Sequence, residues 1–156
     1  MTKILSFVGR SNSGKTTIIE NVVPILKNHG LNVLVVKHAK QFEIDREGKD
    51  SYRIFRSGAD VVIASNDKTA FIGRLPDDLD FICEVFGRFY DLIITEGFGR
   101  ACKDRIVVLN CPRELSDYNC GRIIAVVADF NVDGYVSLRK NDYGGIAKII
   151  IDWFHS

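Results

Sequence analysis

Short apolar runs alternating with amphipathic segments predict an α/β domain with a mainly parallel sheet, flanking helices and an extra β-hairpin. Two observations carry this. The runs at 3–8, 31–37, 91–96, 105–109 and 122–128 are continuously apolar rather than alternating, as strands buried on both faces are. The stretches between several of them repeat apolar residues at helical spacing.

Residues 3–8 form the first strand, and a glycine-rich loop follows. A helix from Lys15 to about His29 comes next, with Gly30 as its C-terminal stop. Pro24 lies inside it and predicts a local kink. After the strand at 31–37, a polar loop leads to a short helix capped by Asp50 or Ser51 and running to about Gly58. The runs 60–65 and 69–74 flank Asn66-Asp67-Lys68 and form the hairpin. A helix starts at Pro76-Asp77-Asp78, with Leu79, Ile82, Cys83 and Phe86 on one face, and a last helix spans about 142–155.

The chain has 156 residues, the size of one domain, and 46% hydrophobic content supplies a core. The formal net charge is +1, without the basic excess of a generic nucleic-acid binder. The longest apolar runs are about six residues, far short of the roughly 20 needed to span a membrane. Cys83, Cys102, Cys111 and Cys120 form no C-x-x-C pair. With no export signal at the N-terminus, they are expected to be reduced thiols in a cytoplasmic protein.

The strongest chemical signal is Gly9-Arg10-Ser11-Asn12-Ser13-Gly14-Lys15-Thr16, which satisfies G-x-x-x-x-G-K-[ST] between a strand and a helix. Its glycines let successive N–H groups of Ser11, Asn12 and Ser13 converge on phosphate oxygens, and the helix adds its positive dipole end. Lys15 should reach the β- and γ-phosphates, Thr16 should ligate Mg²⁺, and Thr17 continues the turn. The domain is therefore of the P-loop nucleotide-binding type. Glu96 ends a buried strand on the ligand edge and is the candidate acid near the metal, with Gly97 turning the chain beside it. Lys15 and Glu96 are the candidate catalytic pair. Asp91 starts the same strand on the far side and reads as structural.

Lys37-His38 ends the second strand on the ligand edge. For His38, phosphate contact, proton transfer and structural hydrogen bonding all stay open. Gly48-Lys49-Asp50-Ser51 imitates a second phosphate loop but has no upstream strand or first glycine. Lys49, Arg53 and Arg56 are either a solvated face or a second anion site. Asp129, just past the strand at 122–128, is either a base acceptor or a surface turn residue.

The chain resembles the molybdopterin-guanine dinucleotide biosynthesis protein B (MobB) family. The resemblance lies in residues 9–17, Ile-Leu-Lys-Asn-His-Gly at 25–30 and Val-Lys-His at 36–38. It continues through Asp45, Gly-Lys-Asp-Ser-Tyr-Arg at 48–53, Ser-Gly-Ala at 57–59 and Asp-Leu-Ile-Ile-Thr-Glu-Gly-Phe at 91–98. It implies a GTP-binding accessory protein with slow, Mg²⁺-dependent hydrolysis. Its partner would be a MobA-type guanylyltransferase that joins GMP to molybdopterin. It also implies a homodimer extended through the hairpin region 60–74. Two departures stand out: Ala39-Lys40-Gln41 replaces a His-rich stretch, and Gly99 stands where many members carry Lys. The alternatives on the same scaffold are a small-molecule kinase or ATP-dependent ligase, and a non-catalytic nucleotide-binding adaptor.

Overall fold

The computed structural model describes residues 2–156. The chain divides into two compact units, one made of the residues up to His38 together with Leu79–Ser156, the other of Ala39–Asp78.

The larger unit is built on a six-stranded sheet whose neighbouring strands all run parallel. Its strands are β1 (Lys3–Val8), β2 (Val33–Lys37), β5 (Leu92–Glu96), β6 (Arg105–Val108), β7 (Ile123–Val127) and β8 (Ser137–Leu138), in the order β2-β5-β1-β6-β7-β8. The helices are α1 (Lys15–Asn28), α3 (Leu79–Gly87) and α4 (Tyr143–Phe154). A 3-10 helix at Pro112–Tyr118 and strand β8 were not expected from the sequence.

Side-chain alternation along the strands splits the core into layers. Leu5 and Phe7 of β1, Leu92 and Ile94 of β5, and Ile106 and Val108 of β6 face α1 and α4, where Ile18, Val22, Leu26, Ile146 and Ile150 meet them. Val107, Leu109 and Val126 face the other way, onto Leu115 and Tyr118 of the 3-10 helix. Ile93 packs with Leu79 and Cys83 of α3. Between β1 and β5 the buried Thr95 hydroxyl donates to the Ser6 hydroxyl across 2.8 Å, so this polar pair is satisfied inside the sheet.

Helix α1 runs without a break through Pro24, which lies on the exposed side beside exposed Asn21. Water can satisfy a carbonyl left without its N–H there. Gly30 ends the helix with φ +85°, and Leu31 N–H returns to the Leu26 carbonyl. α3 begins at Leu79, three residues later than expected from Pro76, at the first side chain the core buries. Asp91 acts structurally: its Oδ2 accepts the Asn32 N–H at 2.8 Å and ties the start of β5 to the start of β2.

The cysteine expectation needs correction. Cys102 and Cys120 are joined in a disulfide, while Cys83 and Cys111 are free thiols. Their spacing hides this, because their proximity comes from sheet pairing. Arg105 N–H donates to the Arg122 carbonyl and draws the turn after β5 against the turn before β7. Arg105 is fully buried and donates Nε to the Lys103 carbonyl and Nη1 to the Gly99 carbonyl, holding the same turn.

The smaller unit holds α2 (Asp50–Arg56) and the antiparallel pair β3 (Val61–Ala64) and β4 (Thr69–Ile72). Its turn follows the expected chemistry: Ser65 N–H donates to the Lys68 carbonyl, and the Ser65 hydroxyl to Asp67 Oδ1. Arg74 Nη2 donates to the Phe55 carbonyl and its guanidinium lies 3.9 Å from the Phe55 ring centroid. Val62, Ile63 and Phe71 stay exposed on the hairpin.

The disulfide closes an 18-residue separation, so its reduction should cost about 3 kcal/mol of stability on the chain-entropy account. Urea unfolding with and without a dithiol reductant measures this. A Cys102→Ala/Cys120→Ala variant should match the reduced protein and stop responding to the reductant.

Candidate functional site

Strand β1 delivers the chain into the loop 9–14, and backbone chemistry fixes the loop's shape. A Cβ on Gly9 would fall against the Val108 carbonyl and the Ser13 hydroxyl. Asn12 has φ +60° and Gly14 φ +103°. Gly14 is the N-cap of α1 and offers no side chain to its first N–H groups, and the first turn carries no acidic residue. By contrast α4 is capped in the usual way, with Asp142 Oδ1 accepting the Gly145 N–H. The first turn of α1 is left open to an outside acceptor.

These residues line a cleft of about 580 Å³, formed by Gly9, Ser11, Asn12, Gly14, Lys15, Thr16, Thr17, Lys37, His38, Glu96 and Gly97. All of them belong to the larger unit. Lys15 Nζ donates to the Gly9 and Arg10 carbonyls at 2.9 and 2.7 Å. Burial pushes its ammonium below the ordinary lysine range; Glu96 pulls against that and Lys37 adds to it. The Thr16 hydroxyl donates to Glu96 Oε1 at 2.7 Å, and Lys37 Nζ lies 3.5 Å from Glu96 Oε2. Glu96 is nearly buried, its side chain 12% exposed.

The pairing of β5 with both β1 and β2 places Glu96 opposite Phe7 on one side and Lys37 on the other. Gly97, with φ +92°, then turns so closely past His38 that a Cβ would lie 3.1 Å from the His38 Cβ. The His38 ring packs against Phe98, centroids 4.9 Å apart, and the His38 backbone N–H donates to the Glu96 carbonyl at 2.9 Å. Ser13 is buried beneath the loop, its hydroxyl 3.4 Å from Lys15 Nζ.

Of the other residues singled out in the sequence, Asp129 lies just past the end of β7, exposed, on the same sheet edge. Lys49 and Arg53 belong to the smaller unit, at the start of and within α2, where Arg53 Nη1 lies 3.9 Å from Asp50 Oδ1 on an exposed face. Sequence reasoning passed over Arg10, whose guanidinium reaches Asp117 at 3.2 Å and the buried Glu114 at 3.7 Å, fastening the loop to the 3-10 helix. Its position inside the motif was the only local signal. The acids it meets are more than a hundred residues away.

The Thr16 hydroxyl and Glu96 carboxylate are hard oxygen donors in contact, a set that suits Mg²⁺. Among the described residues no cluster of three His, Cys, Asp or Glu side chains could hold a metal unaided. An ion here would need phosphate and water oxygens to complete its shell. The cleft thus offers open helix N–H groups and lysine ammonium groups for anionic oxygens, beside a donor pair for a hard cation.

Comparison with known proteins agrees with this architecture. The family model for molybdopterin guanine dinucleotide synthesis protein B matches residues 4–129. A molybdopterin-guanine dinucleotide biosynthesis adapter protein of Escherichia coli is 31% identical over 98% of this chain and 94% of its own length. The Haemophilus influenzae adapter protein is 31% identical over 97% and 89%. A crystal structure of molybdopterin-guanine biosynthesis protein B superposes with a TM-score of 0.88 at 48% identity, covering 98% of this chain and 99% of the other. With that model matching residues 4–129 and relatives 31% identical over nearly its whole length, the chain belongs to the molybdopterin guanine dinucleotide synthesis protein B family.

Proposed function

We propose that this protein binds Mg²⁺-GTP at the 9–17 loop and serves, in the cytoplasm, as an accessory to a guanylyltransferase that attaches GMP to molybdopterin. The single observation that carries the reading is the Thr16–Glu96 hydrogen bond of 2.7 Å inside the cleft lined by the phosphate loop. It supports the reading because it joins two hard oxygen donors beside the open N–H groups of the loop. The naming of the relatives as biosynthesis adapter proteins supports the accessory role.

In this reading Gly9, Ser11, Asn12, Ser13 and Gly14 shape the loop whose N–H groups hold the phosphates. Lys15 moves from the Gly9 and Arg10 carbonyls to the β- and γ-phosphate oxygens. Thr16 and Glu96 hold Mg²⁺, which when bound neutralises charge on the β- and γ-phosphates. Thr17 and Lys37 contact the polyphosphate, and His38 closes that end of the cleft. Lys49 and Arg53 are assigned to a second anion, with the phosphate of molybdopterin as the ligand class. Hydrolysis is slow because the cleft lining holds no Gln or Asp to orient a water, and Glu96 is engaged by Thr16 and Lys37.

Competition of GTP, ATP and CTP for the site with Mg²⁺ present checks the nucleotide. GTP should displace a fluorescent guanine nucleotide best; an ATP preference would sink the guanine reading. Lys15→Ala should weaken GTP binding by about 10- to 100-fold, the worth of a charged hydrogen bond. Glu96→Gln should lose the Mg²⁺ dependence of binding and of phosphate release. If Glu96→Gln still binds GTP and supports dinucleotide formation by the transferase while releasing no phosphate, hydrolysis is incidental and the protein is an adaptor alone.

The exposed Val62, Ile63 and Phe71 support a second proposal, that two copies associate through the hairpin 60–74. Sedimentation should give a species of twice 17.5 kDa at micromolar concentration. A Val62→Lys variant should sediment as the monomer.

A further inference from the structure

On the nucleotide reading above, the metal pair settles which way the ligand runs. Thr16 and Glu96 stand on the β5 side of β1, with Lys37 and His38 of β2 beyond them. A metal held by Thr16 and Glu96 would draw the terminal phosphate to that side. The nucleoside must then leave the loop in the other direction, over the ends of β6, β7 and β8.

Three polar residues follow the ends of these strands. Leu109 N–H donates to the Val127 carbonyl and Ala128 N–H to the Leu138 carbonyl, so the strand ends lie side by side. Each chain next supplies a polar residue on the ligand edge: Asn110 after β6, Asp129 after β7 and, two residues past the end of β8, Lys140. Asn110 is held twice. Its N–H donates to Glu114 Oε2 at 3.0 Å, and its side-chain oxygen accepts from Lys140 Nζ at 2.8 Å. Lys140 is half-buried, and its Cδ lies 4.0 Å from where a Gly14 Cβ would be, so its stem runs along the phosphate loop itself.

We propose that Asn110, Asp129 and Lys140 form the nucleobase subsite, specific for a guanine base, with the Lys140 stem as the platform under the purine face. The partners fit that role. A lysine stem offers apolar surface to a ring, and its ammonium adds cation–π attraction. Asn110 gives that ammonium a neutral acceptor and keeps the side chain in place. The Asp129 carboxylate accepts from the N1–H and N2–H₂ groups that guanine presents as a pair. Adenine would set the lone pair of its N1 against the same carboxylate. Xanthine has an oxygen at position 2, which an amide N–H₂ could bond but a carboxylate repels.

The test measures affinities of GTP, XTP and inorganic tripolyphosphate, all with Mg²⁺, by calorimetry. Asp129→Asn should lose at least roughly tenfold in GTP affinity and gain XTP binding. Lys140→Ala should weaken GTP roughly tenfold and leave tripolyphosphate unchanged, whereas Lys140→Met, which keeps the stem, should retain most of the GTP affinity. Unaltered GTP and XTP affinities in Asp129→Asn would overturn the proposal. So would an equal loss of GTP and tripolyphosphate in Lys140→Ala, which would make Lys140 a phosphate ligand. A wild-type protein that binds tripolyphosphate as tightly as GTP would remove the base subsite and leave the phosphate loop standing. One that binds neither would remove the nucleotide reading, and this subsite with it.

Discussion

The parallel pairing of β1 with β5 on one side and β6 on the other is the constraint on which the rest of the structure hangs. β1 feeds the phosphate loop, β5 ends in Glu96, and β6 supplies the Val108 carbonyl against which Gly9 turns. Shifting β5 by one residue would turn Thr95 away from Ser6 and send Glu96 to the opposite face of the sheet. The buried hydroxyl pair therefore fixes the same register that brings the carboxylate to Thr16. Apolar burial holds the strands together, and one polar contact in their middle chooses among registers.

At the sheet edge, charge is arranged with little excess. Glu96 is shared by a hydroxyl and a lysine, and Lys15 is held by two loop carbonyls, so both charged groups are hydrogen-bonded as partial burial demands. The single acid between two lysines leaves the cleft positive, while the whole chain carries a formal charge of only +1. Net charge is a poor guide to such a site because only the local sum reaches an anion at contact distance. Arg10 shows the same economy on the outer side of the loop. Its charge is turned away onto Glu114 and Asp117, so it braces the loop from outside.

Much of this was legible in the sequence, and the reasons are local ones. The loop motif, the strand ending in Glu96, the turn at 66–68 and the glycine stop after α1 each depend on a few neighbouring residues, and the structure has each where it was expected. What escaped depends on partners distant in the chain. β8 is two residues long and exists as a strand because Val126 and Val127 pair with it. The Cys102–Cys120 bond follows from β6–β7 pairing rather than from any spacing rule. Arg105 is a charged residue that is fully buried, and the loop carbonyls of Lys103 and Gly99 that take its donors lie outside its own strand. Asn110 and Lys140 drew no attention for the same reason, since the bond between them spans 30 residues.

The open start of α1 has a consequence for the energetics of the whole fold. A helix normally settles its first N–H groups with its own side chains, and this one leaves them to whatever anion arrives. The helix is also a main wall of the core, burying Ile18, Ile19, Val22 and Leu26. Occupancy and folding are thus one coupled equilibrium: a ligand at a hundredfold excess over its dissociation constant contributes about 2.7 kcal/mol to the native state. On the proposed nucleotide reading, the ligand's concentration in the cell acts as a folding variable, and a chain weakened elsewhere would survive or be cleared according to how much of that ligand surrounds it.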